Sequence, residues 1–205
     1  TAQSVILYEP SGRRQIHVDL KDVQEAPYPE PAFEEALRGV KLAALCNINF
    51  SRPMLARARA AGVPIATDVH VLSDPRDAYN RDFMEAADWL FLSDEGCRGW
   101  EADLARQLLE LYPCRTVVVG RGAEGALLAR RGREVVTLPA RALRPVVNSV
   151  GAGDALFSGF LHGVASGLDE EAALRRAIVF AGWKIGESGA AQGFLGAERL
   201  REIGG

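Results

Sequence analysis

The sequence predicts an α/β fold, a doubly wound and mainly parallel sheet flanked by helices, with a β-hairpin ahead of it. Three observations carry that expectation. From residue 40 to residue 119 short apolar runs alternate with longer helical segments, the order expected of parallel strands joined by helical crossovers. Two Val-, Ile- and Leu-rich runs at 4–8 and 14–20 are separated by Glu9-Pro10-Ser11-Gly12-Arg13 alone, which is hairpin spacing. Helices dominate the finish, beyond residue 150.

Taken in order, the hairpin is followed by a linker over 21–31, with three prolines and several acids. A strand is then expected at 40–45, a helix at 52–61, a strand at 63–67, a helix at 76–87, a strand at 89–92, a helix at 98–111 and a strand at 116–119. Gly62 and Pro64 stop the first of these helices just before its strand, and Asp68 sits at that strand's C-terminal end, where open α/β sheets bind ligands. The closing helices are expected at 151–166, 169–185 and 197–203, the second opening on an Asp169 cap followed by acids. No internal repeat or low-complexity tract interrupts this order.

The chain has 205 residues, of which 48% are hydrophobic, enough for one substantial core. A formal net charge of −3 without any basic tract argues against a nucleic-acid surface. Cys46, Cys97 and Cys114 follow no metal or disulfide spacing, which suits reduced thiols in a cytoplasm. Cys46 and Cys114 adjoin apparent strands and read as packing residues. No apolar run is long enough to span a bilayer and no charged-then-apolar leader is present, so a soluble cytoplasmic protein without membrane partners is expected.

The stretch with the strongest chemical content is Asn148-Ser149-Val150-Gly151-Ala152-Gly153-Asp154-Ala155-Leu156-Phe157. A glycine-rich turn can aim several backbone N–H groups at one point, and the positive end of the helix that follows favours an anion there. Asp154 beside that point could take a proton from a substrate hydroxyl. Glycines before a helix with an early Asp also describe an ordinary helix start. The continuation Ser158-Gly159-Phe160-Leu161-His162-Gly163 places small residues where a helix must pack closely against a sheet.

A second glycine cluster, Gly120-Arg121-Gly122-Ala123-Glu124-Gly125, follows the apolar strand and formally matches the dinucleotide fingerprint. That fingerprint requires a helix after the glycines. Here residues 126–129, 130–133 and 134–138 read as a second hairpin instead.

Together these motifs resemble the ribokinase-like (PfkB) carbohydrate kinase family, whose usual form at the first site is Asp-Thr-Xaa-Gly-Ala-Gly-Asp-Xaa-Phe. Asn148 and Ser149 stand in for its Asp-Thr, and Leu156 separates Ala155 from Phe157. The family's Thr-x-Gly-x-x-Gly strand end is matched at Gly120, Gly122 and Gly125, with Gly120 in the Thr place. Asp68 resembles its strand-end Asp, residues 87–92 resemble the strand before its Asn-x-x-Glu motif, and residues 186–193 resemble its nucleotide-side C-terminal loop.

The resemblance implies a single ribokinase-like domain over residues 1–205, opened by a hairpin from the lid region and lacking the family's N-terminal strand and Gly-Gly segment. It implies ATP and Mg2+ as cofactors and a sugar-like alcohol as acceptor. Asp154 becomes the general base, the amides of Gly151, Ala152 and Gly153 the anion hole, and Gly120, Gly122, Gly125, Asn148 and Gly186 the nucleotide contacts. Ser93-Asp94-Glu95-Gly96 replaces the Asn-x-x-Glu motif, so the metal ligands stay unassigned; Asp94 or Glu95 could substitute, or both could be surface acids. Asn148 replaces a carboxylate that helps a monovalent-cation loop in some relatives, leaving potassium dependence open.

Two alternatives remain beside the sugar kinase: a nucleoside kinase of the same family, and a degenerate paralogue that binds nucleotide or sugar. A homodimer through the opening hairpin is also compatible. His162 reads as a packing or surface residue, and His17 and His70 have no recognisable partner.

Overall fold

The computed structural model describes residues 1–8 and 14–204; the expected hairpin turn at Glu9-Pro10-Ser11-Gly12-Arg13 lies outside them. The chain opens with β1 (Gln3–Tyr8) and β2 (Arg14–Asp19), an antiparallel pair. Val5, Leu7, Ile16 and Val18 on it are exposed. Then follow α1 (Glu30–Ala36), β3 (Ala43–Ala44), α2 (Arg52–Ala60), β4 (Ile65–Val71), α3 (Arg81–Ala86), β5 (Trp89–Ser93), α4 (Glu101–Leu111) and β6 (Thr116–Gly120). The chain finishes with β7 (Ala126–Arg130), β8 (Val136–Leu138), α5 (Ala152–Ala165), α6 (Glu170–Lys184) and α7 (Ala197–Gly204).

Strands β3 to β8 form a six-stranded sheet in sequence order, β3 to β6 parallel and the last two turning back antiparallel. Successive side chains of a strand point to opposite faces, and both faces here are covered. Leu90, Leu92, Val117 and Val119 join the cluster built on α2, α3 and α4. Trp89, Phe91 and Val118 join the cluster built on α5 and α6. Burial on both faces explains why the strands read as near-continuous apolar runs rather than as alternating ones.

Phe91 meets α5 edge-on, against Phe157 at 4.9 Å and Phe160 at 5.1 Å between ring centroids. The small residues of α5 serve a different contact from the one expected. A Cβ on Gly159 would stand 3.1 Å from the Ala177 Cα, and one on Gly163 would stand 2.8 Å from the Ala173 Cβ. They therefore bring α5 against α6, while the phenylalanines face the sheet. The amino-terminal end of α6 is pinned by Glu170, whose Oε1 accepts from Trp89 Nε1 at 2.9 Å and Thr116 Oγ1 at 2.7 Å. Asp169 caps that helix, as expected, accepting from the Ala172 N–H at 2.9 Å.

Several boundaries differ from the sequence reading. The helix expected at 76–87 is confined to Arg81–Ala86, because Asp74 accepts from the Arg76 N–H and Asp77 from the Asn80 N–H, local bonds that compete with a helix. The prolines of the linker start α1: Pro29 is its N-cap and Pro31 lies in its first turn, where a missing N–H costs nothing. The strand at 40–45 shrinks to Ala43–Ala44. That at 63–67 becomes Ile65–Val71, its regular pairing with β5 breaking after Asp68. No helix follows the second glycine cluster; β7 and β8 form the expected hairpin, and β7 also turns back antiparallel onto β6.

Candidate active site

The glycine turn enters α5 through Gly151, which is the N-cap at φ 83° rather than the first helical residue. A left-handed backbone there excludes most side chains, and a Cβ would also stand 2.6 Å from the Ala190 carbonyl oxygen. Gly153 differs. It lies within the first turn of α5, is exposed, and a Cβ on it would meet nothing within 4 Å. Neither close packing nor a positive φ demands a glycine at that position.

Hydrogen bonds fix the turn against the chain that leaves α6. The Val147 and Asn148 N–H groups both donate to the Ile185 carbonyl, at 2.8 and 3.0 Å. The Asn148 side chain donates to the Ser188 carbonyl at 2.7 Å and accepts from the Val150 N–H at 2.9 Å. Lys184 Nζ donates to the Val150 carbonyl at 2.6 Å. The Ala152 N–H is engaged within the turn, on the Ser149 carbonyl at 3.1 Å. Among the described residues the N–H groups of Gly151, Gly153 and Asp154 have no acceptor. The open donors of this helix end are thus those three, and Ala152 leaves the expected set.

Asp154 is exposed in the first turn of α5. Asp68 and Cys46 approach it from the strand ends. Burial pushes the Asp68 carboxyl above the usual carboxylate range, and nearby Asp154 adds to this while His70 opposes it. Burial also raises the Cys46 thiol, with Asp68 and Asp154 both felt there. Asp68 accepts from the His70 N–H at 2.8 Å, across the irregular end of the strand, where His70 itself has φ 59°. The carboxyl-terminal end of the sheet and the amino-terminal end of α5 therefore share one electrostatic neighbourhood.

The second glycine cluster borders the same end. A Cβ on Gly120 would touch Leu156 at 3.5 Å, in ordinary contact, which places the end of β6 beside the start of α5. Gly122 has φ 53° and open space around it. Gly125 has φ 100°, and a Cβ on it would drive into the Leu138 carbonyl, so the hairpin itself demands that glycine. Gly186 has a packing reason too. A Cβ there would stand 2.5 Å from Arg144 Nε, whose guanidinium donates to the Trp183 carbonyl and to Glu187 at 2.8 Å.

The segment 93–96 follows the end of β5, where Ser93 is paired with Gly120. Asp94 is buried and held by Arg98 at 3.1 Å, while Glu95 is exposed. His17 and His162 are both exposed, and neither imidazole makes a hydrogen bond or ion pair among the described residues; His162 accepts only through its carbonyl, from the Ser166 N–H at 3.0 Å. Among the described residues no group of three His, Cys, Asp or Glu side chains gathers to hold a metal ion, and no helix is long and apolar enough to cross a membrane. A shallow hollow lined by Arg130, Arg133, Asp169, Glu170 and Glu171 lies at the opposite end of the sheet.

Two residues of this neighbourhood escaped the sequence reading. Cys46 was read as packing alone. Lys184 gave a usable signal, a charge inside the apolar run 177–185.

Comparison with known proteins agrees with this geometry. Residues 19–195 match the family described as pfkB family carbohydrate kinase. Acarbose 7(IV)-phosphotransferase of Actinoplanes sp. is 29% identical over 178 residues, 85% of this chain and 59% of its own length. Bifunctional protein HldE of Pseudomonas putida is 32% identical over 184 residues, 82% of this chain and 36% of its own. The chain thus spans less than two thirds of these relatives. Among solved structures, a microbiome-derived acarbose kinase superposes with a TM-score of 0.87 at 29% identity, over 100% of this chain and 69% of its own. Arabidopsis thaliana ribokinase, complexed with ribose and ATP, gives 0.80 at 18% identity, over 100% of this chain and 69% of its own, a likeness of fold alone. With the glycine turn leading into α5, the β7–β8 hairpin in the expected place and the family match running through most of its length, this chain belongs to the pfkB family of carbohydrate kinases.

Proposed function

We propose that the protein transfers the γ-phosphoryl group of ATP to a hydroxyl of a sugar or sugar-like molecule, with Asp154 as general base. The observation that carries this reading is the helix entry itself: open N–H groups at Gly151, Gly153 and Asp154 lie in one turn with an exposed carboxylate. Gly153 adds weight. A glycine in a helical turn is unfavourable by roughly 1 kcal/mol relative to alanine, and here it leaves open the space a phosphate would need.

In this reading the acceptor oxygen attacks phosphorus, the bond from the γ-phosphorus to the bridging oxygen breaks, ADP leaves, and the hydroxyl proton passes to Asp154. A loose transition state of this kind depends on positioning and electrostatics more than on a strong base. The turn amides stabilise the charge on the moving phosphoryl. Gly120 and Gly122 would hold the ATP, with Asn148 bracing the turn through Ser188. Gly125 and Gly186 act by shape rather than by contact. Mg2+ in such sites is held largely by phosphates and waters, and no residue is assigned to it here.

The acceptor class follows the relatives whose names specify a sugar, above all the acarbose phosphotransferase at 29% identity. The three free cysteines support placing the reaction in a reducing cytoplasm.

Calorimetric titration with Mg-ATP, followed by turnover on a panel of sugars, tests the reading. Gly153→Asp should abolish nucleotide binding. Asp154→Asn should keep it and lower turnover by roughly 10²–10⁴-fold, the range of a positioned base. Near-normal turnover in Asp154→Asn would exclude the assignment, and binding without turnover on any acceptor would favour the degenerate binder.

A further inference from the structure

Lys184 occupies the last turn of α6 with 0% of its surface exposed. Its stem passes beneath the glycine turn, the Cε standing 3.2 Å from where a Cβ on Gly151 would be, and its ammonium donates to the Val150 carbonyl at 2.6 Å. Burying an ammonium is costly unless a counter-ion accompanies it. Among the described residues Lys184 has no ion-pair partner. Glu187, the acid close to it in sequence, is bound by Arg144 at 2.8 Å. Burial pulls the Lys184 pKa below that of a free lysine, while Glu187 and Asp154 act to raise it.

A neutral donor such as glutamine could satisfy the Val150 carbonyl. A positive charge left unpaired inside the protein, next to a turn with open N–H groups, calls for an anion from outside. We propose that Lys184 is a fixed counter-charge beneath the phosphate turn, holding the left-handed entry into α5 through the Val150 carbonyl and favouring the γ-phosphoryl group of ATP. It is a positioning residue, acting through the turn and its own field without touching substrate. The inference rests on the kinase reading above and names a further component of the same site.

The test compares Lys184→Gln, which keeps a hydrogen-bond donor, with Lys184→Met, which keeps the bulk, in the full chain. Each is titrated with Mg-ATP and with Mg-ADP, after its cooperative thermal transition has been verified. Both variants should lose roughly 10–100-fold in Mg-ATP affinity, the scale of one partly screened charge acting across the turn. The loss for Mg-ADP should be clearly smaller, because the missing charge faces the γ-phosphoryl group. Retained Mg-ATP affinity in either variant would overturn the proposal, and so would equal losses for the two nucleotides, which a distorted turn would give. Failure of both variants to fold would make Lys184 a folding residue and overturn it as well. If the native chain binds Mg-ATP dependently on Gly153 while the Lys184 variants do so equally well, only this inference falls. If the native chain binds no nucleotide, the kinase reading falls and takes this inference with it.

Discussion

Gly153→Ala should make the protein more stable and less active. A Cβ at this position meets nothing within 4 Å and the backbone is not left-handed, so the substitution introduces neither clash nor strain. Alanine is favoured over glycine in a helix interior by about 0.5–1 kcal/mol, and the first-turn position of Gly153 argues for the lower half of that range. For a chain of this size about 1 kcal/mol moves the thermal midpoint by roughly 2–4 °C, so a rise of about 1–3 °C is expected. The added methyl projects into the space assigned to the phosphoryl group. Turnover should then fall by roughly 10²–10³-fold, comparable with the loss of one oxyanion donor. Gly151→Ala supplies the contrast. There the left-handed backbone costs about 1–2 kcal/mol, and the 2.6 Å approach to the Ala190 carbonyl adds to it, so its midpoint should drop. Differential scanning calorimetry and a coupled ADP-release assay read both quantities. A Gly153→Ala variant with a lower midpoint, or with a higher midpoint and native turnover, would refute the claim that this glycine is kept open for a ligand.

Phe160, fully buried and edge-on to Phe91, should cost about 3–5 kcal/mol when changed to alanine. Chemical denaturation would read this as a lower midpoint, and a cost under about 1 kcal/mol would mean that α5 is not seated on the sheet as described. Asp68→Asn keeps an oxygen for the His70 N–H and removes a charge that burial disfavours. Since the folded-state pKa of Asp68 lies above its unfolded value, its stabilising effect is present at acid pH and is lost as pH rises through the folded value. The variant should therefore match the native chain at low pH and surpass it at neutral pH; a pH-independent difference in thermal midpoint would contradict this. Burial raises the Cys97 and Cys114 thiols to about 11, so both should resist thiol reagents until the chain unfolds, and rapid native-state labelling of either would show that its burial is wrong.

The parts of the fold legible in the sequence are those where one local pattern decides the structure. Val117, Val118 and Val119 read as a strand because both faces of the sheet are buried, and Asp169 read as a cap because its carboxylate bonds the helix start directly. The place of Asp154 in the first turn of a helix was legible for the same reason, since the glycine turn and the helix that follows are contiguous. Other features depend on contacts made at a distance. The choice of α6 over the sheet as the neighbour of Gly159 and Gly163 depends on Ala173 and Ala177. The loss of the Ala152 N–H to the Ser149 carbonyl depends on the exact path of the turn, and the burial of Lys184 on the whole α5–α6 seam. Asp74 and Asp77 are intermediate: both can bond nearby backbone, but only the folded loop shows that they do so instead of continuing a helix.

The circuit around Gly186 gives a residue a way to serve the proposed phosphate site through its neighbours. The absence of a side chain there makes room for Arg144, whose guanidinium lies 4.2 Å from the Trp183 ring centroid and pairs with Glu187. That pair neutralises the carboxylate best placed in sequence to neutralise Lys184. With Glu187 engaged, the field of the buried ammonium is left to the turn above it, and in the proposed reaction the exposed Asp154 remains available to the acceptor hydroxyl. A bulkier residue at Gly186 would act through this chain: Arg144 would be displaced, Glu187 would be released toward Lys184, and the positive potential under Gly151 would fall. The glycine that the family resemblance marked as a nucleotide contact thus has a physical reason to be glycine in the room it leaves for Arg144.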